Sequence, residues 1–330
     1  MDNEKTIWEL NNGRSVLDLN PSLKIDEESQ DALQWGQGDL DLWFEEKHRN
    51  IYGQRFKVVK SLFSKKSTFQ QIDVVETEGF GKVLLNDGLV MVTERDEAVY
   101  HEMIAHVPLL THPCPKNVLV IGGGDGGTVR EVLKHKSVEK CTLVEIDPVV
   151  LEACIEHIPL TSSCLKPGVD SRVEVIVGDG LKHVEEAEEA EYDVILVDST
   201  DPIGPAKPLF GVGFYNNVFR SLTDKGIVVS QGESPFFQGE AQVSLLKVLN
   251  KVFPCTDLYN FSNMSYPGGL WSFTFASKGL HPLSCKDVEL KEFSSNHNFQ
   301  YYTEDIHKSA FAKPNFMKNN LKDFVSNDFS

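Results

Sequence analysis

The chain is short of positive charge. Lys and Arg total 32 against 49 Asp and Glu, a formal net charge of −17 over 330 residues. A surface of that sign repels nucleic acid and anionic membranes, so neither is expected as a partner. It suits cationic substrates. Cysteine is sparse too. The six residues (Cys114, Cys141, Cys154, Cys164, Cys255 and Cys285) form no C-x-x-C pair and no zinc-type spacing, so no metal is expected, and a reducing compartment is. Cys141 and Cys154 lie in apolar stretches and read as core. No apolar run is long enough to span a bilayer. Residues 1–5 lack the basic-then-apolar pattern of a secretion signal, which predicts a cytoplasmic location. There are no internal repeats and no low-complexity blocks. The histidines are scattered, and His101 and His106 are badly spaced to share a metal on one helix face.

What is present centres on Val118-Leu-Val-Ile-Gly-Gly-Gly-Asp-Gly-Gly127, a hydrophobic strand running into a glycine-rich turn. Gly122, Gly124 and Gly127 satisfy the dinucleotide fingerprint G-x-G-x-x-G. Glycine lets the backbone turn sharply and lets a nucleotide approach closely. Asp125 does not fit a dinucleotide. A pyrophosphate on the following helix N-terminus wants amide donors and no nearby anion. A carboxylate there repels NAD or FAD and attracts a cationic nucleotide, such as a sulfonium adenosine.

The organisation along the chain follows from composition and period. Residues 1–40 are acidic and polar and read as an extension. Residues 41–108 form a small β-domain, with short strands at Arg55–Ser61, Thr68–Glu76, Lys82–Leu85 and Leu89–Thr93 separated by turns such as Asn86-Asp87-Gly88. Glu94–Val107 reads as a helix ended by Pro108. Residues 109–330 alternate strand and helix. Strands are predicted at Val118–Ile121, Cys141–Ile146, Val173–Val177, Val194–Val197 and Gly226–Ser230, all continuous apolar runs of the kind parallel sheets require. Helices are predicted at Thr128–His135, from Asp147-Pro148 to Ile158, and at Ala241–Phe253. Asp257–Phe261 and Ser272–Ala276 make a closing antiparallel pair. The fold class is α/β, a Rossmann-like doubly wound sheet with a small N-terminal antiparallel β-domain, and its ligands belong at the C-terminal strand ends.

Each parallel strand runs into an acid: Asp125, Glu145, Asp179 and Asp198. Glu145 follows the glycine turn by about the 20 residues expected of an acid that binds ribose hydroxyls. One acid at a strand end is commonly a helix cap. Four of them in register around one crevice form a self-repelling cluster that a polycation would neutralise. Asp198-Ser-Thr-Asp-Pro-Ile-Gly-Pro-Ala-Lys-Pro208 then joins two carboxylates to a proline-rich loop, readable as a rigid connector or as a lid over the substrate.

On these residues the chain resembles the spermidine synthases, the polyamine aminopropyltransferase family. The matching stretches include Thr93-Glu-Arg-Asp-Glu97, Tyr100-His-Glu-Met103, Gly122–Gly127, Val144-Glu-Ile-Asp147, Gly178-Asp-Gly180, Asp198–Pro205, Ser265-Tyr-Pro-Gly268 and His307-Lys-Ser-Ala-Phe311. The resemblance implies transfer of an aminopropyl group from decarboxylated S-adenosylmethionine, a co-substrate, to putrescine. The products are spermidine and methylthioadenosine. No cofactor and no metal are implied, and the assembly is a homodimer or homotetramer. Carried over by motif, Gln70, Glu145, Asp179, Gly180 and Pro205 hold the methylthioadenosine part of the donor, and Asp125 and His101 its aminopropyl part. Asp198 is the acid-base residue. Tyr100, Ser199, Thr200, Asp201 and Tyr266 join it around the acceptor amine. Trp43, Tyr100, Tyr266 and Trp271 are candidates to line the acceptor channel, with core packing the alternative for Trp43 and Trp271. Phe236 and Phe237 read as packing and His307 as an anchor of the C-terminus. One departure is Met91, where the family usually has Gln, and it bears on amine choice. Competing readings are transfer to another di- or polyamine, a putrescine N-methyltransferase, a catalytically silent polyamine-binding module and an NAD-dependent dehydrogenase. Asp125 speaks against both the methyltransferase and the dehydrogenase.

Overall fold

A computed structural model of the chain describes residues 41–48, 51–200 and 209–325. Five strands form an antiparallel meander: β1 (Trp43–His48), β2 (Tyr52–Lys66), β3 (Gln71–Thr77), β4 (Gly81–Asn86) and β5 (Leu89–Thr93). The β4–β5 hairpin pairs Asn86 with Leu89 across Asp87 (φ 49°) and Gly88 (φ 80°). Both turn residues are left-handed, as the two-residue hairpin with matching twist requires. The second sheet has seven strands: β6 (Asn117–Gly122), β7 (Lys140–Glu145), β8 (Val173–Val177), β9 (Tyr192–Asp198), β10 (Leu222–Gln231), β11 (Cys255–Ser262) and β12 (Leu270–Ser277). Its order is β11-β12-β10-β9-β6-β7-β8. The five strands from β10 to β8 are parallel, and β12 and β11 add the antiparallel edge. The strand order reverses beside β6, next to β9, so a ligand crevice is expected at their C-terminal ends.

Helices cover both faces. α1 (Glu97–Thr111) packs in one core with Val118, Val120, Val194 and Phe273, while Phe214, Tyr215, Leu246 and Met317 cover the opposite face. α2 (Gly127–Val132) follows the glycine turn. α3 (Pro148–His157), capped by Asp147, lays Val149, Val150, Ala153 and Cys154 against Ile72, Val74, Leu84 and Val92 of the small sheet. The small sheet therefore lies against the corner where β7 runs into α3.

Several expected boundaries move. β1 was not anticipated, and β2 is longer than the predicted Arg55–Ser61. β3 starts later than Thr68 because the Ser67 hydroxyl accepts the amides of Phe69 and Gln70 and holds a turn there. α1 begins at Glu97 rather than Glu94, and Pro108 does not end it. Proline removes one amide donor from the last turn, and burial of Val107 and Leu109 outweighs that loss. α2 is shorter than the predicted Thr128–His135. β8 is an edge strand with Val177 exposed, not a fully buried one. Helices Val212–Ser221, Asp287–Ser295, Glu304–Ser309 and Asn315–Leu321 were not anticipated. Cys141 and Cys154 are buried as expected. His307 does anchor the C-terminal segment, through Tyr302 Oη (2.8 Å) and the Pro282 carbonyl (3.2 Å).

Candidate active site

The turn after β6 and the end of β9 meet in register, with Gly122 opposite Asp198. Gly122 (φ 79°) and Gly123 (φ 67°) are left-handed, and a Cβ on Gly122 would lie 2.1 Å from the Asp198 carbonyl oxygen. Any side chain there would push Asp198 out of place, so glycine at this position is a requirement of the site. A cavity of about 330 Å³ opens over these strand ends. Its walls include Gln70, Met91, Tyr100, His101, Asp125, Glu145, Asp179, Gly180, Asp198, Ser199, Thr200, Tyr266 and Trp271.

The structure thus brings together eleven of the thirteen site residues named from the sequence. Asp201 and Pro205 lie outside the described residues, as do most of the proline-rich loop and the extension 1–40. Trp43 is a correction. It does not line the cavity; it is half exposed, with Arg55 over its ring at 5.4 Å. The alternation of β1 turns it to the outside and turns Glu46 inward. Trp271 does line the cavity and donates Nε1–H to the Pro267 carbonyl at 3.1 Å. Phe237 stacks on Tyr52 at 4.0 Å and Phe236 on Phe316 at 5.2 Å, though both keep exposed faces.

Asp198 is held from two sides. Tyr100 Oη donates to Oδ1 at 2.8 Å and Thr128 Oγ1 donates to Oδ2 at 2.6 Å. Burial, then the charge of Asp125, push its pKa up; His101, Thr128 and Tyr100 oppose the rise without cancelling it. Asp125 goes the other way. Burial alone would raise it, but His101 and the Gly127 amide hold it below the usual carboxylate range. The imidazole of His101 is 3.2 Å from Asp125 and 2.5 Å from Glu97. Burial disfavours its charge, yet the two carboxylates push its pKa up to about 10. His101, Asp125 and Asp198 bring donor atoms within 4.8 Å of one another, close enough for a metal ion. A ring protonated on both nitrogens has no lone pair for one.

Glu145 accepts the Asp147 amide at 2.8 Å, and burial raises it to about 7. Asp147, the cap of α3, also accepts Ser67 Oγ at 2.7 Å and Gln70 Nε2 at 3.1 Å, which ties the small sheet to this corner. Asp179 is exposed at the rim and caps the next helix through the Leu181 amide (2.9 Å). Gly180 leaves room for Ile121, whose Cγ2 a Cβ would meet at 2.3 Å. On the other wall Tyr266 Oη donates to the Met91 carbonyl at 2.8 Å, with its ring edge-on to Tyr100 and Trp271. Asp96 positions this wall by accepting Thr93 Oγ1 (2.6 Å) and the Ser265 amide (2.7 Å).

Sequence reasoning missed Glu46, His48 and Gln231, all in the cavity wall, and Thr128, Glu97 and Arg130 around it. Glu46 is buried, accepts the Val90 amide at 3.0 Å and lies 3.2 Å from His48 Nε2. The signal for it was the alternation from Trp43 to His48, which makes Glu46 an inward residue of a strand.

Comparisons with known proteins agree with this architecture. A spermine/spermidine synthase domain matches residues 97–286. A domain described as the spermidine synthase tetramerisation domain matches residues 42–94. The polyamine aminopropyltransferase of Bacillus mycoides (strain KBAB4) is 47% identical over 283 residues, 86% of this chain and 100% of the relative. That of Methanocaldococcus jannaschii is 46% identical over 283 residues, 85% of this chain and 95% of the relative. Among solved structures, a spermidine synthase in complex with the transition-state analogue AdoDATO superposes with a TM-score of 0.83 at 40% identity, covering 88% of this chain and 99% of that one. The spermidine synthase of Thermotoga maritima gives 0.81 at 40% identity, covering 88% and 98%. With its motifs, its two sheets and the acids at the strand ends all in agreement, the chain belongs to the spermine/spermidine synthase family, the polyamine aminopropyltransferases.

Proposed function

We propose that this enzyme transfers the aminopropyl group of decarboxylated S-adenosylmethionine to putrescine, and that Asp198 takes the proton. The observation that carries the reading is two neighbouring carboxylates in one cavity, Asp125 buried against His101 and Asp198 half-buried under Tyr100 and Thr128, with opposite tendencies: Asp125 held down and Asp198 pushed up. A sulfonium is its own leaving group, so the enzyme's work is to align the partners and supply one unprotonated amine nitrogen. That nitrogen attacks the carbon next to sulfur as the C–S bond breaks. The electron pair leaves on methylthioadenosine, and the extra proton passes from the new secondary ammonium to Asp198 and then to water. Asp198 keeps a lone pair on each oxygen beyond those engaged by Tyr100 and Thr128.

Glu145 is the ribose acid, and Gln70, Asp179 and Gly180 hold the methylthioadenosine part, with Pro205 from the loop. Asp125 and His101 form the seat of the donor ammonium, an anion backed by a cation. Tyr100, Ser199, Thr200, Asp201 and Tyr266 surround the acceptor. No metal or further cofactor is required by this chemistry. A homo-oligomer, dimer or tetramer, is the expected assembly, supported by the match of residues 42–94 to a tetramerisation domain.

A second acceptor is the alternative outcome, because Met91 stands in the wall where the family usually has an amide, and because a pocket one methylene longer discriminates weakly in any case. The test is mass spectrometry of products from decarboxylated S-adenosylmethionine with equal amounts of putrescine, cadaverine, diaminopropane, agmatine and spermidine. With the supplied spermidine isotopically labelled, unlabelled spermidine should dominate, with methylthioadenosine in equal amount. Another aminopropylated amine would keep the mechanism and move the acceptor; no methylthioadenosine would end the reading. Asp198→Asn should lower kcat by about 10²–10⁴ while donor affinity is kept.

A further inference from the structure

Glu97 and His101 lie one turn apart on α1, and the ring of His101 is clamped. Its Nδ1 is 2.5 Å from Glu97 Oε2 and its Nε2 is 3.2 Å from Asp125 Oδ1. A neutral imidazole has one N–H and would turn a lone pair toward the other carboxylate. Only the doubly protonated ring donates to both. The three side chains are buried, with at most 10% exposure. Glu97 is gripped in turn by a guanidinium fork: Arg130 Nη1 to Oε1 at 2.8 Å and Nη2 to Oε2 at 2.9 Å. Two parallel charged bonds of this kind fix both the distance and the plane of a carboxylate. Arg130 is fixed by Glu131 (Nε–Oε1, 2.8 Å) and by the Leu160 carbonyl (3.1 Å). The edge of the Tyr100 ring closes another side of His101.

The charges along this line alternate: Asp125, His101, Glu97, Arg130. At the cavity end Asp125 Oδ1 takes the imidazole and the Gly127 amide (2.8 Å), and among the described residues Oδ2 carries no hydrogen bond. Two carboxylates as close as Asp125 and Asp198 would share a proton if nothing distinguished them. The imidazolium distinguishes them.

We propose that Glu97 and Arg130, neither of which lines the cavity, are positioning residues of the active site: they hold His101 as an imidazolium, and the imidazolium keeps Asp125 an anion so that Asp198 alone serves as proton acceptor. This rests on the aminopropyl-transfer reading for the role of Asp198, but the charge state of His101 does not. The titratable groups that face the ring are Glu97 and Tyr100 from α1, Asp125 from the turn after β6, and Asp198 from the end of β9, which brings an oxygen within 4.8 Å of a ring nitrogen; Arg130 lies behind Glu97.

The test has two arms, both on the full chain. In the first, nitrogen NMR of histidine-labelled protein without substrate follows His101, assigned by its loss in His101→Gln. The ring should stay an imidazolium from pH 6 to 9 in the parent and titrate within that range in Glu97→Gln. In the second, kcat and KM for the donor are measured against pH. Glu97→Gln should lose roughly ten- to a hundredfold in kcat/KM at pH 8.5, the scale of one charged hydrogen bond, and recover most of it at pH 6, where the ring is protonated again. Arg130→Lys keeps the charge but loses the fork, and should shift the same limb by less. It also serves if Glu97→Gln folds poorly. A parent His101 that titrates near pH 6.5 overturns the proposal. So does a loss in Glu97→Gln that is uniform across pH, the signature of a merely structural role. The NMR arm uses no substrate, so absence of aminopropyl transfer would be seen separately from failure of the clamp.

Discussion

His101 and His106 stand five residues apart on one helix, both buried, both against a carboxylate, and they take opposite charge states. His101 is pushed up to about 10; His106 is pulled below 6.5. Burial works against the charged form of each. The difference lies in the anions left over for the ring. His101 meets two carboxylates, Glu97 and Asp125, and the guanidinium fork on Glu97 keeps that carboxylate ionised and sets its plane toward the ring. His106 meets Glu131 at 3.1 Å, but Arg130 (2.8 Å) and Lys134 (2.6 Å) already claim that carboxylate. Its other nitrogen faces His135, itself pushed well below the usual histidine range by burial and by His106. Phe293, Phe299 and Tyr302 wall the pair. One helix thus presents a cation to the cavity and a neutral, packed histidine to the C-terminal segment.

The sharpest way to break this comparison is to remove each ring in turn. His101→Gln should lower kcat/KM for the donor by about 10²–10³, the usual scale for losing one preorganised charged contact. His106→Gln should leave kcat/KM within about threefold and lower the unfolding free energy in urea by about 1–3 kcal/mol, since a buried partner group loses its hydrogen bond. Equal kinetic losses in the two variants would mean that the helix, not the charge, is what matters.

Linkage sharpens the comparison next. Between pH 6.5 and about 10 the folded chain holds a proton on His101 that the unfolded chain has released. Stability from this group is therefore complete below pH 6.5 and is lost as pH rises, by up to about 1.4 kcal/mol per pH unit. His106 works with the opposite sign. Its folded pKa is depressed, so its contribution is complete above pH 6.5 and is lost as pH falls below that value. Urea midpoints from pH 5 to 8.5 should show His101→Gln flattening the alkaline limb and His106→Gln easing the acid one. His135 and His307, the latter lowered to about 4, sustain the rest of the acid limb. Glu145, raised to about 7, acts alike in both variants.

A smaller perturbation moves the ring without deleting it. A Cβ on Gly127 would lie 2.2 Å from the His101 ring, so the imidazole must shift to admit it. Gly127→Ala should cost about tenfold in kcat/KM for the donor, since misplacement of a supporting group by even about an ångström is felt at the reacting centre. A wild-type value would show that the ring has slack.

These two clusters were not equally legible in the sequence. The glycine turn, the acids at the strand ends and the antiparallel closing strands follow from local rules, because a backbone turn or an apolar run leaves a mark on consecutive residues. Asp125 was singled out from chemistry alone, since an anion at a helix start selects against a pyrophosphate, and it stands in the cavity wall. Glu97, Thr128 and Arg130 escaped because their partners are far away in sequence. Arg130 is 33 residues from Glu97, and Thr128 is 70 from Asp198. On their own helices they look like ordinary polar positions. Glu46 was lost in an acidic stretch whose strand was not recognised, and Trp43 was misplaced by the same omission. The His106 cluster left no trace, since its walls come from the unanticipated helix Asp287–Ser295 (Phe293) and the irregular stretch after it (Phe299 and Tyr302).

The mildest test separates the two clusters through the cation they do not share. Arg130 serves both, bonding Glu97 and Glu131, so its removal cannot discriminate. Lys134 touches only the His106 side, through Glu131 Oε2, and its side chain is 30% exposed. An ammonium with that much water around it adds little net stability to a carboxylate that already has an arginine. Lys134→Met should therefore change the unfolding free energy by less than about 1 kcal/mol, with the aliphatic stem still available to cover Phe299. Its informative effect is on His106. With one competing cation gone, Glu131 has more charge to offer the ring, and the His106 pKa should rise in histidine NMR while that of His101 stays where it is. A His101 signal that moved with it would show that the arginine transmits charge between the clusters, and the two histidines would have to be treated as one titrating unit.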